Sequence, residues 1–141
     1  MRREVKDTER SQPGPEATGG NGVHMMTRID ARDRLIVALD VPSAAEADAL
    51  VARMGDQVRF VKVGLELYTV AGPDIVRKLV DRGKRVFLDL KFLDIEETVR
   101  RATARVAAMG ATFLTVHANR KALIAAVQGR GSSDLKLLAV T

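Results

Sequence analysis

The chain of 141 residues contains no cysteine and no tryptophan, and only two of its residues are histidines. The lack of cysteine excludes disulfides and metal sites built on thiolates. The two histidines, His24 and His117, are too far apart in the sequence to suggest a designed metal centre. Any metal ion would therefore need oxygen ligands.

Long apolar runs are also missing. No run approaches the roughly 20 residues that a membrane span needs, and the N-terminus lacks the apolar segment of a secretory signal. We therefore expect a cytoplasmic protein that does not contact a membrane. Hydrophobic residues make up 46% of the chain and charged residues 29%, which is ordinary for one globular domain. The net charge of +5 fits an anionic ligand such as a phosphate ester, but a solvated basic surface explains it more simply.

Residues 1–24 are rich in proline and glycine and contain almost no apolar side chains. We predict that they form a disordered N-terminal extension, because they cannot contribute to a core. Their acidic residues balance their basic ones, which argues against a transit peptide or a nucleic-acid-binding arm. Met25 and Met26 follow directly, and either is an alternative to Met1 as the start of translation.

From Arg34 onward, short apolar runs alternate four times with helical patterns, and a fifth apolar run follows. The predicted strands are 35–39, 58–63, 85–90, 112–116 and 135–140, and the predicted helices begin near 42, 65, 95 and 120. Gly72 and Pro73 interrupt the second helix. The short connections require parallel strands with right-handed crossovers, so the fold class is α/β.

Two architectures fit this alternation, a doubly wound sheet and a (β/α)8 barrel. Strands one to four each carry a polar residue at or just beyond the C-terminal end: Asp40, Lys62, Asp89 with Lys91, and His117. A doubly wound domain would instead concentrate its signal in one glycine-rich loop, and no such motif occurs. We therefore predict a (β/α)8 TIM barrel. His117 is more simply explained as a histidine bonded to the backbone.

The segment Phe-Leu-Asp-Leu-Lys-Phe-Leu-Asp-Ile-Glu-Glu-Thr, residues 87–98, places three charges at the end of an apolar strand. Asp89 and Lys91 are two residues apart, so on a regular strand they would point the same way. They fit a simple salt bridge, and Asp94 with Glu97 fits a capping box at a helix start. With Lys62 and Asp40 at neighbouring strand ends, four charges converge, an arrangement that favours a catalytic site.

Four segments together resemble orotidine 5′-phosphate decarboxylases, from about Arg34 to Thr141. They are Ala-Leu-Asp-Val-Pro-Ser (38–43), Val-Lys-Val-Gly-Leu-Glu-Leu (61–67), residues 87–95 with Thr98, and Thr-Val-His-Ala (115–118). The D-x-K-x-x-D motif is shared with related sugar-phosphate decarboxylases, which stay open as an alternative. Lys62 favours the orotidine phosphate enzymes, since metal-dependent relatives have an acidic ligand there. Many members have His-Asp-Ile-Pro-Asn-Thr where this chain has Leu-Asp-Ile-Glu-Glu-Thr.

The resemblance implies conversion of orotidine 5′-phosphate to UMP in de novo pyrimidine synthesis, without a metal or cofactor. By similarity, Asp89 lies against the departing carboxylate, and Lys91 stabilises the carbanion and then donates the proton. Lys62 would bridge Asp89 and the ribose, while Asp40 would bind the ribose hydroxyls. Nucleic-acid binding through Arg100, Arg101 and Arg105, on the helix predicted to begin near 95, has little support, because no aromatic residues interleave these arginines.

The resemblance also implies a homodimer in which Asp94, Ile95 and Thr98 enter the site of the neighbouring subunit. The phosphate-binding loop and arginine of the family lie beyond the position of Thr141, and a complete barrel needs about 250 residues. We therefore expect residues 25–141 to be the N-terminal portion of a barrel truncated after about strand five. This chain alone is expected to be inactive or nearly so and aggregation-prone. A non-catalytic half-barrel, persisting as a dimer or with another chain, is the alternative.

Overall fold

The computed structural model describes residues 29–141, in which strands and helices alternate. The strands are β1 (Ile36–Ala38), β2 (Phe60–Gly64), β3 (Arg85–Phe92), β4 (Phe113–His117) and β5 (Lys136–Val140). The helices are α1 (Ala44–Met54), α2 (Leu65–Ala71), α3 (Asp74–Asp81), α4 (Glu96–Ala108) and α5 (Arg120–Arg130). Single 3₁₀ turns precede β1 and β2. The extension predicted for residues 1–24 and the alternative start residues Met25 and Met26 lie outside the described part.

The five strands form one parallel sheet in the order in which they occur along the chain. This confirms the predicted alternation of parallel strands and helices. A sequential order is the barrel arrangement, whereas a doubly wound sheet reverses direction at a switch point. Within residues 29–141, β1 and β5 each pair with one strand only, so the described sheet is open.

Local sequence accounts for the helix boundaries. Ser43 begins α1, because its hydroxyl accepts a hydrogen bond from the backbone of Glu46 at 3.2 Å. Asn119 does the same for α5 with the amides of Lys121 and Ala122. Gly72 ends α2 with a φ of +64°, a conformation that glycine adopts without strain. The predicted break between α2 and α3 is therefore confirmed.

One face of the sheet packs against the helices and holds the core. Fully buried aliphatic side chains come from every layer of this packing, in particular Val61, Val63, Val86, Leu88 and Leu114 on the strands and Leu79 and Ala126 on the helices. Burying each of the larger side chains contributes roughly 1.5–3 kcal/mol. Within residues 29–141, no helix is both long enough and apolar enough to span a lipid bilayer.

The opposite face of the sheet carries an aromatic layer. The rings of Phe60 and Phe113 stack at 5.3 Å, and Phe87 meets Phe113 edge to face at 6.0 Å. Each phenylalanine lies two residues before a polar residue on its own strand, namely Lys62, Asp89 and Thr115. Since side chains two apart on a strand share a face, the aromatic layer supports a polar layer at the C-terminal ends of the strands.

Candidate active site

Four charged side chains from three neighbouring strand ends form one continuous row of ion pairs, which we call the charged cluster: Asp40, Lys62, Asp89 and Lys91. Lys62 Nζ lies 3.3 Å from Asp40 Oδ1 and 3.9 Å from Asp89 Oδ2, while Lys91 Nζ lies 2.9 Å from Asp89 Oδ1. Acid and base alternate along this row, so each charge has a neighbour of opposite sign. The structure thus brings together the four residues expected to converge at the mouth of the sheet.

The contact between Asp89 and Lys91 depends on an irregular backbone. Leu88 is opposite Leu114 and Phe92 is opposite Val116, so β3 has two more residues than β4 in this stretch. Lys91 has a φ of +50°, and it is the one residue other than glycine with positive φ in the described part of the chain. The expectation that regular strand alternation aligns the two side chains is therefore wrong, because a bulge brings them together.

Thr115 on β4 is a buried polar residue that the sequence reasoning did not single out. It is 5% exposed, and its hydroxyl donates to Asp89 Oδ1 at 2.9 Å and accepts from the backbone amide of Lys91 at 2.8 Å. The available signal was its position two residues after Phe113 on the same face as Asp89. Thr115 thus joins the charged cluster to the bulge.

Asp89 is the least exposed of the three cluster residues at the strand ends of β2 and β3. Burial raises the pKa of its carboxyl, but hydrogen bonds from Lys91 and Thr115 and the positive charges of Lys91 and Lys62 outweigh this effect. The pKa of Asp89 therefore lies below its ordinary value of 3.8. The carboxylate stays ionised at neutral pH, as an electrostatic role requires.

This lowered pKa predicts a pH-dependent contribution of Asp89 to stability. An acid whose pKa is depressed by folding stabilises the native state above its unfolded value, and the contribution is lost as the pH falls through the folded value. Asp89→Asn should lower the free energy of unfolding by about 1–2 kcal/mol at pH 7. Urea unfolding of both proteins from pH 7 downward should show the two curves converging below the ordinary value of 3.8. A constant difference at every pH would contradict the prediction.

Asp94 does not cap α4, so the capping-box interpretation is wrong. The residue at the N-cap position is Ile95, and no side chain caps the helix. Asp94 Oδ1 instead accepts from the amide of Ile95 at 2.6 Å. Glu97 binds Arg100 and Arg101, whose hydrogen bonds lower its pKa to about 2. These pairs also occupy two of the arginines considered for nucleic-acid binding.

Asp94, Ile95 and Thr98, expected to serve a neighbouring subunit, are exposed. Among residues 29–141, none of the three is hydrogen-bonded or ion-paired to Asp89 or Lys91. Asp94 and Thr98 instead line, together with Lys91, a cavity of about 360 Å³. The carboxylate and hydroxyl are therefore near the charged cluster without completing it.

No group of three or more histidine, aspartate or glutamate side chains is arranged to hold a metal ion in the described part of the chain. His117 lies partly buried at the end of β4, where it lines an open cavity with Leu93 and Asn119. What the site offers chemically is a preorganised pair of ammonium groups around one carboxylate.

Comparison with known proteins matches residues 33–141 to the model of the orotidine 5′-phosphate decarboxylase / HUMPS family. A protein of Bradyrhizobium diazoefficiens described as orotidine 5′-phosphate decarboxylase is 52% identical over 113 residues, which are 80% of this chain and 48% of that protein. A protein of the same description from Rhodopseudomonas palustris strain HaA2 is 54% identical over 110 residues, or 78% and 47% of the two chains. The chain thus spans about half the length of these relatives.

Solved structures give the same result. The orotidine 5′-phosphate decarboxylase of Lactobacillus acidophilus superposes with a TM-score of 0.69 at 41% identity, over 76% of this chain and 52% of that one. The enzyme of Pyrococcus horikoshii superposes with a TM-score of 0.63 at 28% identity, over 73% and 50%. Both neighbours are (β/α)8 barrels, and the five-stranded sheet matches about half of each. The predicted fold class is thereby confirmed.

Proposed function

The chain belongs to the orotidine 5′-phosphate decarboxylase / HUMPS family, and we propose that it supplies the charged half of a site that decarboxylates orotidine 5′-phosphate to UMP. The observation that carries this proposal is the alternating row of Asp40, Lys62, Asp89 and Lys91. As a step of de novo pyrimidine synthesis, the reaction is proposed to take place in the cytoplasm.

In the proposed reaction, the bond between C6 of the pyrimidine and its carboxylate breaks, CO₂ leaves, and the electron pair stays on C6. The Lys91 ammonium stabilises this developing charge and then donates a proton from Nζ to C6. Lys91 is 49% exposed, so solvent can return the lost proton. Because one lysine supplies both the positive charge and the proton, the proposed reaction needs no metal or cofactor.

Asp89 and Asp40 have different parts in this proposal. Asp89 is 17% exposed and is held by Lys91 and Thr115, so it is a fixed negative charge beside the place of the substrate carboxylate. Asp40 is 65% exposed, and its Oδ2, the oxygen that does not face Lys62, can accept hydrogen bonds from ribose hydroxyls. Lys62 lies between them and links the ribose side of the site to the reacting side.

The site is proposed to be completed by a second copy of this chain. Leu65 and Leu93, which are 62% and 57% exposed, line the Lys91 cavity, and Ile95, which is 75% exposed, directly follows the lining residue Asp94. Exposed apolar side chains grouped in this way are typical of an interface. A homodimer formed here would carry Asp94, Ile95 and Thr98 toward the partner, as the family resemblance implies.

A chimera offers the sharpest test of the proposed reaction. The segment of the Bradyrhizobium diazoefficiens relative that matches this chain is replaced by the corresponding residues of this chain, and orotidine 5′-phosphate consumption is followed by absorbance. We expect turnover, with UMP as the product. A chimera with a native circular dichroism spectrum and no turnover would refute the proposal. Decarboxylation of a keto-gulonate phosphate instead would favour the related sugar-phosphate decarboxylases.

The unaltered 141-residue chain is assayed in parallel. The open sheet, whose inner face includes Ile36 and Leu138 at 39% and 38% exposed, supports the expectation that this chain turns over little or no substrate by itself. A healthy rate from the chain alone would overturn that expectation. A stable, well-folded chain without activity would instead support the non-catalytic half-barrel.

The proposed dimer predicts that Ile95→Asp weakens self-association. Removing an isoleucine that is buried in the proposed interface and adding a charge should raise the dissociation constant of the dimer about 10-fold to 100-fold. The control is Ile124→Asp on α5, because Ile124 is also exposed, at 48%, but lies away from the Lys91 cavity. Sedimentation equilibrium measures both variants. Equal effects of the two substitutions, or a wild-type chain that stays monomeric at every concentration, would rule out this interface.

A further inference from the structure

Lys91 has a backbone conformation that residues other than glycine and asparagine rarely adopt. Its φ of +50° lies in the left-handed region, inside the bulge between Leu88 and Phe92. Strained residues persist only where their surroundings hold them, and they concentrate at functional sites. Something must therefore hold the backbone of Lys91 in place while its side chain reaches Asp89.

Thr115 is placed to do this. Leu114 and Val116, its neighbours on β4, pair with the two ends of the bulge, so Thr115 lies opposite the irregular stretch itself. Its single hydroxyl makes two hydrogen bonds, accepting from the Lys91 amide at 2.8 Å and donating to Asp89 Oδ1 at 2.9 Å. The same carboxylate oxygen accepts from Lys91 Nζ at 2.9 Å. One buried hydroxyl thus joins the backbone of Lys91 to the carboxylate that orients its side chain.

We propose that Thr115 is a positioning residue, whose hydroxyl fixes the Asp89 carboxylate and the Lys91 backbone in the geometry that proton donation needs. The part of this proposal that concerns proton donation rests on the proposed function. The hydroxyl touches no substrate atom in this role, since both of its bonds go to protein groups. It acts instead by excluding other orientations of Asp89, whose further charged neighbours are Lys62 on β2 and, through Lys62, Asp40 just after β1.

A merely structural role for Thr115 makes a different prediction. If the side chain only filled space in the sheet, valine would serve equally well, because it has nearly the same shape. Serine would then be the worse substitute, because it lacks the methyl group. A positioning role predicts the reverse order, because serine keeps the oxygen, whereas valine leaves the Lys91 amide without its acceptor and removes one of the donors to Asp89.

The test compares Thr115→Val with Thr115→Ser in the full chain by carbon-13 NMR of the Asp89 carboxyl group during a pH titration. The hydrogen bond from Thr115 lowers the pKa of Asp89, so its loss should move the titration midpoint of the valine variant to higher pH. The serine variant should titrate like the wild type. Titration of all three proteins at the same pH would overturn the proposal, as would a serine variant that behaves like the valine variant.

The kinetic arm uses the chimera described above. Thr115→Val should lower kcat about 10-fold to 100-fold with a smaller change in KM, because misplacement of a reacting group costs rate more than binding, and Thr115→Ser should restore most of the rate. A loss confined to KM would count against positioning. Because the titration needs no substrate, it decides the role of Thr115 even if the chimera proves inactive, and the two failures are therefore distinguishable.

Discussion

Replacing Lys91 with alanine is expected to lower turnover of orotidine 5′-phosphate by the chimera at least about 10⁴-fold. One removed electrostatic donor costs roughly 10²–10³-fold, and a lost general acid costs roughly 10²–10⁴-fold. Lys91 is proposed to serve in both ways, so the effects combine on one step. The loss should lie mainly in kcat, because the ammonium acts on charge that develops only in the transition state.

The fold should tolerate this substitution. Lys91 is 49% exposed, and an exposed ion pair contributes only about 0–1 kcal/mol to stability. Lys78 on α3 offers a matched control, because it is 48% exposed and is also ion-paired to an aspartate, Asp48 on α1. Lys78→Ala should change stability by a similar small amount and leave turnover unchanged.

Two outcomes would contradict the assignment of Lys91. If Lys91→Ala turned over substrate at the wild-type rate, another group would have to donate the proton. If Lys78→Ala lost as much activity as Lys91→Ala, the effect would reflect general disturbance of the protein. Unfolding midpoints measured on both variants separate loss of chemistry from loss of fold.

The convergence of Asp40, Lys62 and Asp89 could be predicted because it follows from topology. Strands that run parallel bring their C-terminal ends to one edge, so a polar residue at each strand end must meet the others. The sequential strand order was predictable for a related reason, since short helical connections place each strand beside the one before it. Neither inference needs any knowledge of side-chain conformation.

The bulge in β3 could not be predicted in this way. Nothing in Leu88 to Phe92 signals two extra residues, because the segment contains no glycine and alternates as a regular strand would. The bulge lies opposite a residue far away in sequence, Thr115, whose hydroxyl accepts a hydrogen bond from the Lys91 amide. Prediction from local pattern therefore found the correct pair, Asp89 and Lys91, for an incorrect reason.

For Asp94 the local pattern predicted an interaction that does not form. Aspartate followed by glutamate three residues later is the pattern of a capping box, yet Glu97 is engaged by Arg100 and Arg101, one turn further along the helix. The two arginines make three charged hydrogen bonds to the Glu97 carboxylate, and these outweigh the one contact to a backbone amide that a capping box would provide. Asp94 does not cap α4, and it lies in the lining of the Lys91 cavity.

Replacing Gly129 with alanine is expected to destabilise the fold by about 2 kcal/mol or more, although alanine is the better helix former. Gly129 lies within α5 where that helix crosses α4. A Cβ atom there would overlap the carbonyl oxygen of Arg100 and would lie 3.0 Å from Cβ of Thr103. A carbonyl oxygen in a helix cannot rotate aside, so the whole of α4 would have to move.

The sign of this effect depends on two opposing magnitudes. Glycine costs a helix interior about 1 kcal/mol relative to alanine, whereas overpacking a tight contact costs typically 1–3 kcal/mol and occasionally more. Because the approach at Gly129 is to backbone rather than to a flexible side chain, we expect the clash to exceed the gain clearly. Movement of α4 would also shift Thr98 at the Lys91 cavity.

Gln128→Ala, on the exposed neighbouring position of α5, is the control, and its free energy of unfolding should stay within about 0.5 kcal/mol of the wild-type value. Urea unfolding measures both variants, and a Gly129→Ala protein as stable as the wild type would contradict the prediction.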